Sequence, residues 1–131
     1  MNTGTIVTTK NGMVRVKRFP RFEGSNICTW IGFKHVMYLL EEAAIQYFRE
    51  QQLFPRQLFD ENGLCFEIVE SNARIMHALH MDDEVDMEVC ANCEPADTEM
   101  SLRINAFVRR GQDRLKAVSS NIKVLFRHDQ T

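Results

Sequence analysis

Two adjacent carboxylates, Glu41-Glu42, stand inside an apolar run, and acids so placed are the chain's first candidates for chemistry. Glu41 is flanked at helical spacing by Met37, Tyr38, Ala44, Ile45 and Phe48. A carboxylate among apolar neighbours is costly to ionise unless paired, so its pKa should rise. Such a group can serve as a general base or orient a water, or it can be half of a structural ion pair. Glu42 projects about 100° further round, toward Tyr38, Gln46 and Arg49, where water or Arg can satisfy it. Glu41 is therefore expected to matter more than Glu42. His35 falls in the first helical turn and can act as an acid or base near neutral pH, or as a cap. Gly32 and Phe33 open the same run. Their N–H groups would be free donors at the positive end of the helix dipole, a ready oxyanion hole. Asn26, in the Gly24-Ser25-Asn26 loop, cannot be a base, but its amide can bind an oxyanion or hold a water. The other reading of that loop is a plain turn.

Arg109, Arg110, Arg114 and Lys116 gather around one turn, where they can hold phosphates or simply face water. Cys90-Ala91-Asn92-Cys93 has the spacing of a zinc half-site. The segment reads as a strand, on which residues three apart point to opposite faces, and no second pair completes a tetrahedron. His77 and His80 diverge for the same reason. No metal is expected, and Cys28, Cys65, Cys90 and Cys93 are expected to be reduced thiols.

These residues need elements to position them. Phe33 to Glu50 is the clearest helix, because Phe33, Met37, Leu40, Ala44, Tyr47 and Phe48 recur at helical spacing. Val36, Leu39, Ala43 and Ile45 widen the stripe so far that the helix must be buried on several sides. Pro55 cannot continue it, and Asp60-Glu61-Asn62-Gly63 reads as a turn. A first strand is expected over Gly12 to Phe19. After Gly63 the period falls to two, with alternation over Leu64–Val69, Ala73–His80, Val85–Cys90, Met100–Ala106 and Val118–Phe126. The order is strand, long helix, then four or five antiparallel strands with one apolar face each.

Bulk properties exclude several classes. A length of 131 residues suits one domain, with its core about 12–126. Sixteen basic against eighteen acidic residues leave a net charge of −2, which is not the footprint of a nucleic-acid binder. No stretch approaches a membrane span, and the Thr-rich start lacks the apolar run of a signal peptide, so a cytoplasmic location is expected.

This element order resembles the hot-dog fold of the thioesterase and dehydratase superfamily, an α+β fold with one long central helix wrapped by a curved antiparallel sheet of five to six strands. Tyr38-Leu39-Leu40-Glu41-Glu42-Ala43 is similar to the helix of the 4-hydroxybenzoyl-CoA thioesterase group. Met81-Asp82-Asp83-Glu84-Val85 resembles the turn that starts a long strand in the family, and Lys116-Ala117-Val118 through Phe126 resembles the closing strand. The resemblance implies an acyl-thioesterase-like enzyme acting on an acyl-CoA or acyl-carrier-protein thioester, in fatty acid or polyketide metabolism, with water as nucleophile. Glu41, His35, Asn26 and Glu42 would be the catalytic candidates. Gly32, Phe33 and Tyr38 would bind the oxyanion and substrate. Arg109, Arg110 and Lys116 would hold coenzyme A or phosphopantetheine, and no other cofactor is implied. It also implies a homodimer or homotetramer, with helices side by side and sites at the subunit boundary. Asn26 and Trp30 stand where the group's pattern has Asp and His. Two alternatives therefore stay open: a dehydratase or lyase using His35 and Glu41, and a non-catalytic acyl-binding subunit.

Overall fold

The computed structural model describes residues 6–10, 13–20, 31–51, 53, 55–80, 82–91 and 99–128. Strands β1 (Ile6–Lys10) and β2 (Met13–Arg18) precede helix α1 (Phe33–Glu50) and helix α2 (Pro55–Asn62). Strands β3 (Leu64–Ile75), β4 (Val85–Ala91), β5 (Glu99–Arg110) and β6 (Asp113–His128) follow. They form one six-stranded sheet in the order β1-β2-β4-β5-β6-β3, with every neighbouring pair antiparallel. The sheet curls around α1, which touches β2, β4, β5 and β6. This is the α+β wrapping of one long helix that the sequence implied.

The alternation of residues on each strand explains the wrapping. Val14, Val16, Val85, Met87, Val89, Leu102, Ile104, Ile122 and Val124 all bury their side chains on the helix side. Val36, Leu39, Leu40, Ala43, Ala44, Tyr47 and Phe48 answer them from α1. Ala43 and Ala44 are fully buried, and their small side chains leave little distance between helix and sheet. We expect Ala43→Leu to overpack this contact and cost about 1–3 kcal/mol, read as a lower melting temperature.

Three expectations need correction. The first strand is preceded by a partner, β1, whose Lys10 registers with Met13 of β2. The Asn11-Gly12 pair between them is a strong hairpin signal that the strand reading passed over. Pro55 does not merely stop α1; it opens α2, since proline lacks only an N–H that the first helical turn leaves unused. Gly63, at φ +66°, then ends α2, and its N–H donates to the Phe59 carbonyl (2.9 Å). Finally, Leu64–Ile75 is one strand with an irregularity between Ile68 and Glu70, rather than two. His77 lies beyond its end. Leu79 is buried, and its carbonyl accepts from the Ile31 N–H (2.9 Å), tying the β3–β4 connection to the residue before the helix.

The outer face of the sheet carries an ion-pair ladder. Arg15 and Arg114 both reach Asp86, and Arg114 also pairs with Glu88 (2.9 Å) while its guanidinium lies 3.7 Å over the Phe107 ring. Burial alone would raise the Asp86 carboxyl, but hydrogen bonds and charge from Arg15 and Arg114 outweigh it and hold the group below the ordinary carboxylate range. A carboxyl with a depressed folded pKa stabilises the fold above its unfolded value, about 3.9, and loses that contribution as pH falls through the folded value. Urea titrations of the wild type and Asp86→Asn should therefore differ at pH 6 and converge as the pH drops below about 4.

Candidate active site

Helix α1 begins at Gly32, whose extended backbone (φ −70°, ψ 158°) caps the helix without a side-chain hydrogen bond. The His35 and Val36 N–H groups both donate to the Gly32 carbonyl (3.1 Å each). Among the described residues, no acceptor meets the N–H of Phe33 or Lys34. The first turn contains no acidic residue that would neutralise the dipole. The unbonded N–H groups are those of Phe33 and Lys34, where the sequence pointed to Gly32 and Phe33, and donors at the positive end of a helix can receive an anion.

Side chains frame it. Phe33 is 60% exposed and Tyr38 44% exposed, unusually high for large hydrophobic groups on a helix that packs into a core. The His35 ring meets the Tyr38 ring edge-on at 5.3 Å, and the Lys34 ammonium lies 5.8 Å from the Tyr38 centroid. The outer side of α1 thus offers ring surface beside a positive helix end.

The two carboxylates separate. Glu41 is half-buried, flanking the buried stripe rather than inside it, on the side of Met37, Tyr38 and Ile45. Glu42 is ion-paired through Oε2 to Arg18 at the end of β2. The sequence placed Glu42 toward Arg49, but Arg49 instead donates to the Gln46 side chain (3.4 Å). Arg18 was missed as a partner, although the signal was present: it shares strand parity with Val14 and Val16, so it leans toward the helix.

Glu41 follows Phe33 by eight residues, which is about 12 Å along the axis at 1.5 Å per residue. A general base must come within a hydrogen bond, or one water, of the proton it takes. Glu41 therefore cannot serve a substrate held at the start of its own helix. Within one chain His35 and Tyr38 lie beside the helix start, and Glu41 lies about one turn beyond Tyr38.

Of the basic residues around the β5–β6 turn, Arg109 and Arg114 lie opposite each other and line one cleft, whereas Arg110 turns elsewhere. Arg110 is spent inside the fold, donating to Asp83 (2.6 Å) and to the Ala78 carbonyl (2.9 Å), which pins the β3–β4 connection. Arg114 belongs to the outer ladder. Arg109 and Lys116 are exposed. Arg109 lines a cleft of about 270 Å³ with Lys17, Asp82, Glu84 and Phe107. Asn26 and Cys93 lie outside the described residues. Cys90 is half-buried on β4. No group of three metal-ligating side chains occurs among the described residues. No described helix is long and apolar enough to cross a membrane.

Comparison of the sequence with protein-family models finds no match. A search of curated proteins finds none either. The structure, in contrast, is similar to solved thioesterases. One is an aspartate-to-asparagine mutant of 4-hydroxybenzoyl-CoA thioesterase complexed with 4-hydroxybenzoyl-CoA (TM-score 0.83, 20% identity, 92% of this chain and 87% of that one). Another is the DHNA-CoA thioesterase of Staphylococcus aureus (TM-score 0.79, 9% identity, 91% and 76%). A third is a gentisyl-coenzyme A thioesterase (TM-score 0.76, 16% identity, 88% and 89%). The long helix, the six-stranded sheet curled about it and these likenesses together establish that this chain has the hot-dog fold.

Proposed function

We propose that the chain hydrolyses an acyl-CoA thioester, with water as nucleophile, at a site shared between two copies. The observation that carries the reading is the helix start: donors without an acceptor among the described residues, in a fold whose solved examples include CoA thioesterases. The Phe33 N–H, with its neighbours at the start of α1, binds the carbonyl oxygen and stabilises the tetrahedral oxyanion. Glu41 of a second copy takes a proton from water as the water oxygen bonds to the carbonyl carbon. The C–S bond then breaks, the proton passes to the departing sulfur, and a carboxylic acid and a free thiol result.

The spacing of about 12 Å between Phe33 and Glu41 calls for a second copy: two helices side by side and antiparallel bring each start near the other's middle. The outer side of α1, with Phe33, Met37, Tyr38 and Ile45, supplies the contact surface. The exposed rings of Phe33 and Tyr38 suit an aromatic acyl group, and the names of the three similar enzymes carry aromatic acyl groups. Coenzyme A is favoured over an acyl carrier protein by the same names. Arg109 and Lys116 are exposed cations still available to its phosphates.

Thiol release from a panel of aryl- and alkyl-CoA thioesters tests the activity, and sedimentation tests the assembly. Release fastest from aryl-CoA by a dimer or larger oligomer is expected. A stable monomer at micromolar concentration, or no release from any thioester, defeats the reading.

A further inference from the structure

The two glutamates of α1 have unequal surroundings, and the inequality comes from one arginine. Arg18 is the last residue of β2 and pairs with Glu42 Oε2, an oxygen with essentially no solvent contact. Glu41, one residue away, has no ion-pair partner among the described residues. The other charged and titratable groups of α1 are Lys34, His35, Tyr38, Tyr47, Arg49 and Glu50, and β4 adds the Cys90 thiol, which faces Tyr47. From the strands packed on α1, β4, β5 and β6 present Val85, Met87, Val89, Leu102, Ile104, Ile122, Val124 and the Ser120 hydroxyl, none of them charged. Arg18 is thus the one cation that the described strands bring to this pair of acids.

Resting on the reading that Glu41 activates water, we infer that Arg18 is a positioning residue. By neutralising Glu42 it lets Glu41 ionise beside an acid that no longer repels it, and it fixes the rotation of α1 that presents Glu41. Two ionised carboxylates on adjacent residues disfavour each other's charge, and protons then leave the pair in coupled steps. With Arg18 in place the pair carries one uncompensated negative charge instead of two. The arginine also ties α1 to a strand that is itself held in the sheet by β1 and β4 on its two sides.

The signs separate this role from simple stabilisation. Arg18→Gln leaves Glu42 charged and unneutralised, so the acid limb of kcat/KM moves to higher pH, by about one unit. Glu42→Gln leaves the arginine charge unbalanced beside Glu41, so the limb moves the other way. The double variant Arg18→Gln/Glu42→Gln returns it toward the wild-type position, and Arg18→Lys rescues the single variant in part. A residue that only held the fold together would shift both single variants alike. Carbon-13 titration of the glutamate carboxyls in the same folded proteins reads the Glu41 midpoint without substrate. Opposite displacements of that midpoint in the two single variants support the inference even if no thioester is hydrolysed. Midpoints and limbs that coincide in all five proteins, wild type included, overturn it, and they do so whether or not hydrolysis is observed.

Discussion

Phe33→Pro lowers turnover about 100- to 1,000-fold, the usual loss when one oxyanion donor is removed. The substitution deletes one hydrogen-bond donor and the phenyl ring, and leaves the helix backbone as it was. Phe33 is the first residue of α1, where proline's missing N–H breaks no helical bond and its fixed φ suits the helix. The residue before a proline must be extended, and Gly32 already is, at ψ 158°. The lost phenyl group is controlled by Phe33→Ala, which keeps the N–H. If the alanine variant raises KM while kcat falls in the proline variant alone, ring and donor have separate tasks. Equal kcat in both variants would place the oxyanion elsewhere. Circular dichroism must show the same helix content in all three proteins for the comparison to count.

The second large effect is at Glu41. Glu41→Gln keeps the size and one hydrogen-bonding oxygen of the side chain and removes its basicity. Turnover should fall about 100-fold or more, with KM little changed, since the group acts on water in the transition state. The half-exposed position means that the fold does not depend on the charge. Mixing makes the test sharper. Neither the Phe33→Pro nor the Glu41→Gln homodimer has an intact site, but a heterodimer has one, in which a wild-type helix start faces a wild-type Glu41. Refolding the two together should recover up to about one quarter of wild-type activity if half of the dimers are mixed and each holds one intact site of two. No recovery in a mixture shown to exchange subunits would mean that donor and base come from the same chain, against the 12 Å spacing.

Helix α1 was legible because its signal is local: the apolar residues repeat at helical spacing over five turns, and both ends fall where the pattern stops. Strands β4 and β6 were legible for the same reason, each alternating cleanly over its core. What was missed depends on partners distant in sequence. β1 is the exception: it has few apolar residues, and its partner β2 is the next strand, across the Asn11-Gly12 signal. The single long β3 carries an irregularity that shifts the alternation, so it read as two. The helix start was legible as a set of donors, because free N–H groups follow from helix geometry alone. The division between Glu41 and Glu42 was not, since it turns on Arg18, which the sheet brings across from more than twenty residues away in the chain. The partners of the basic cluster were hidden in the same way: Arg110 and Arg114 find acids on the β3–β4 connection and on β4.

The sheet order has a consequence for how the chain is made. β4 emerges to pair with β2, already made, and β5 and β6 then pair each with the strand just synthesised. β3 is different: its strand partner is β6, the last element to emerge. At 5–20 residues per second, about fifty residues separate the completion of β3 from that of β6, a wait of roughly 3–10 s on the ribosome. Through that interval β3 has no neighbour in the sheet, and its last residue Ile75 and the following Met76 are both exposed even in the finished fold. A nascent chain in this state presents an unpaired edge to other nascent chains on the same message. Premature termination within β6 would make the state permanent, so truncated products should be lost to aggregation or degradation out of proportion to the few residues they lack.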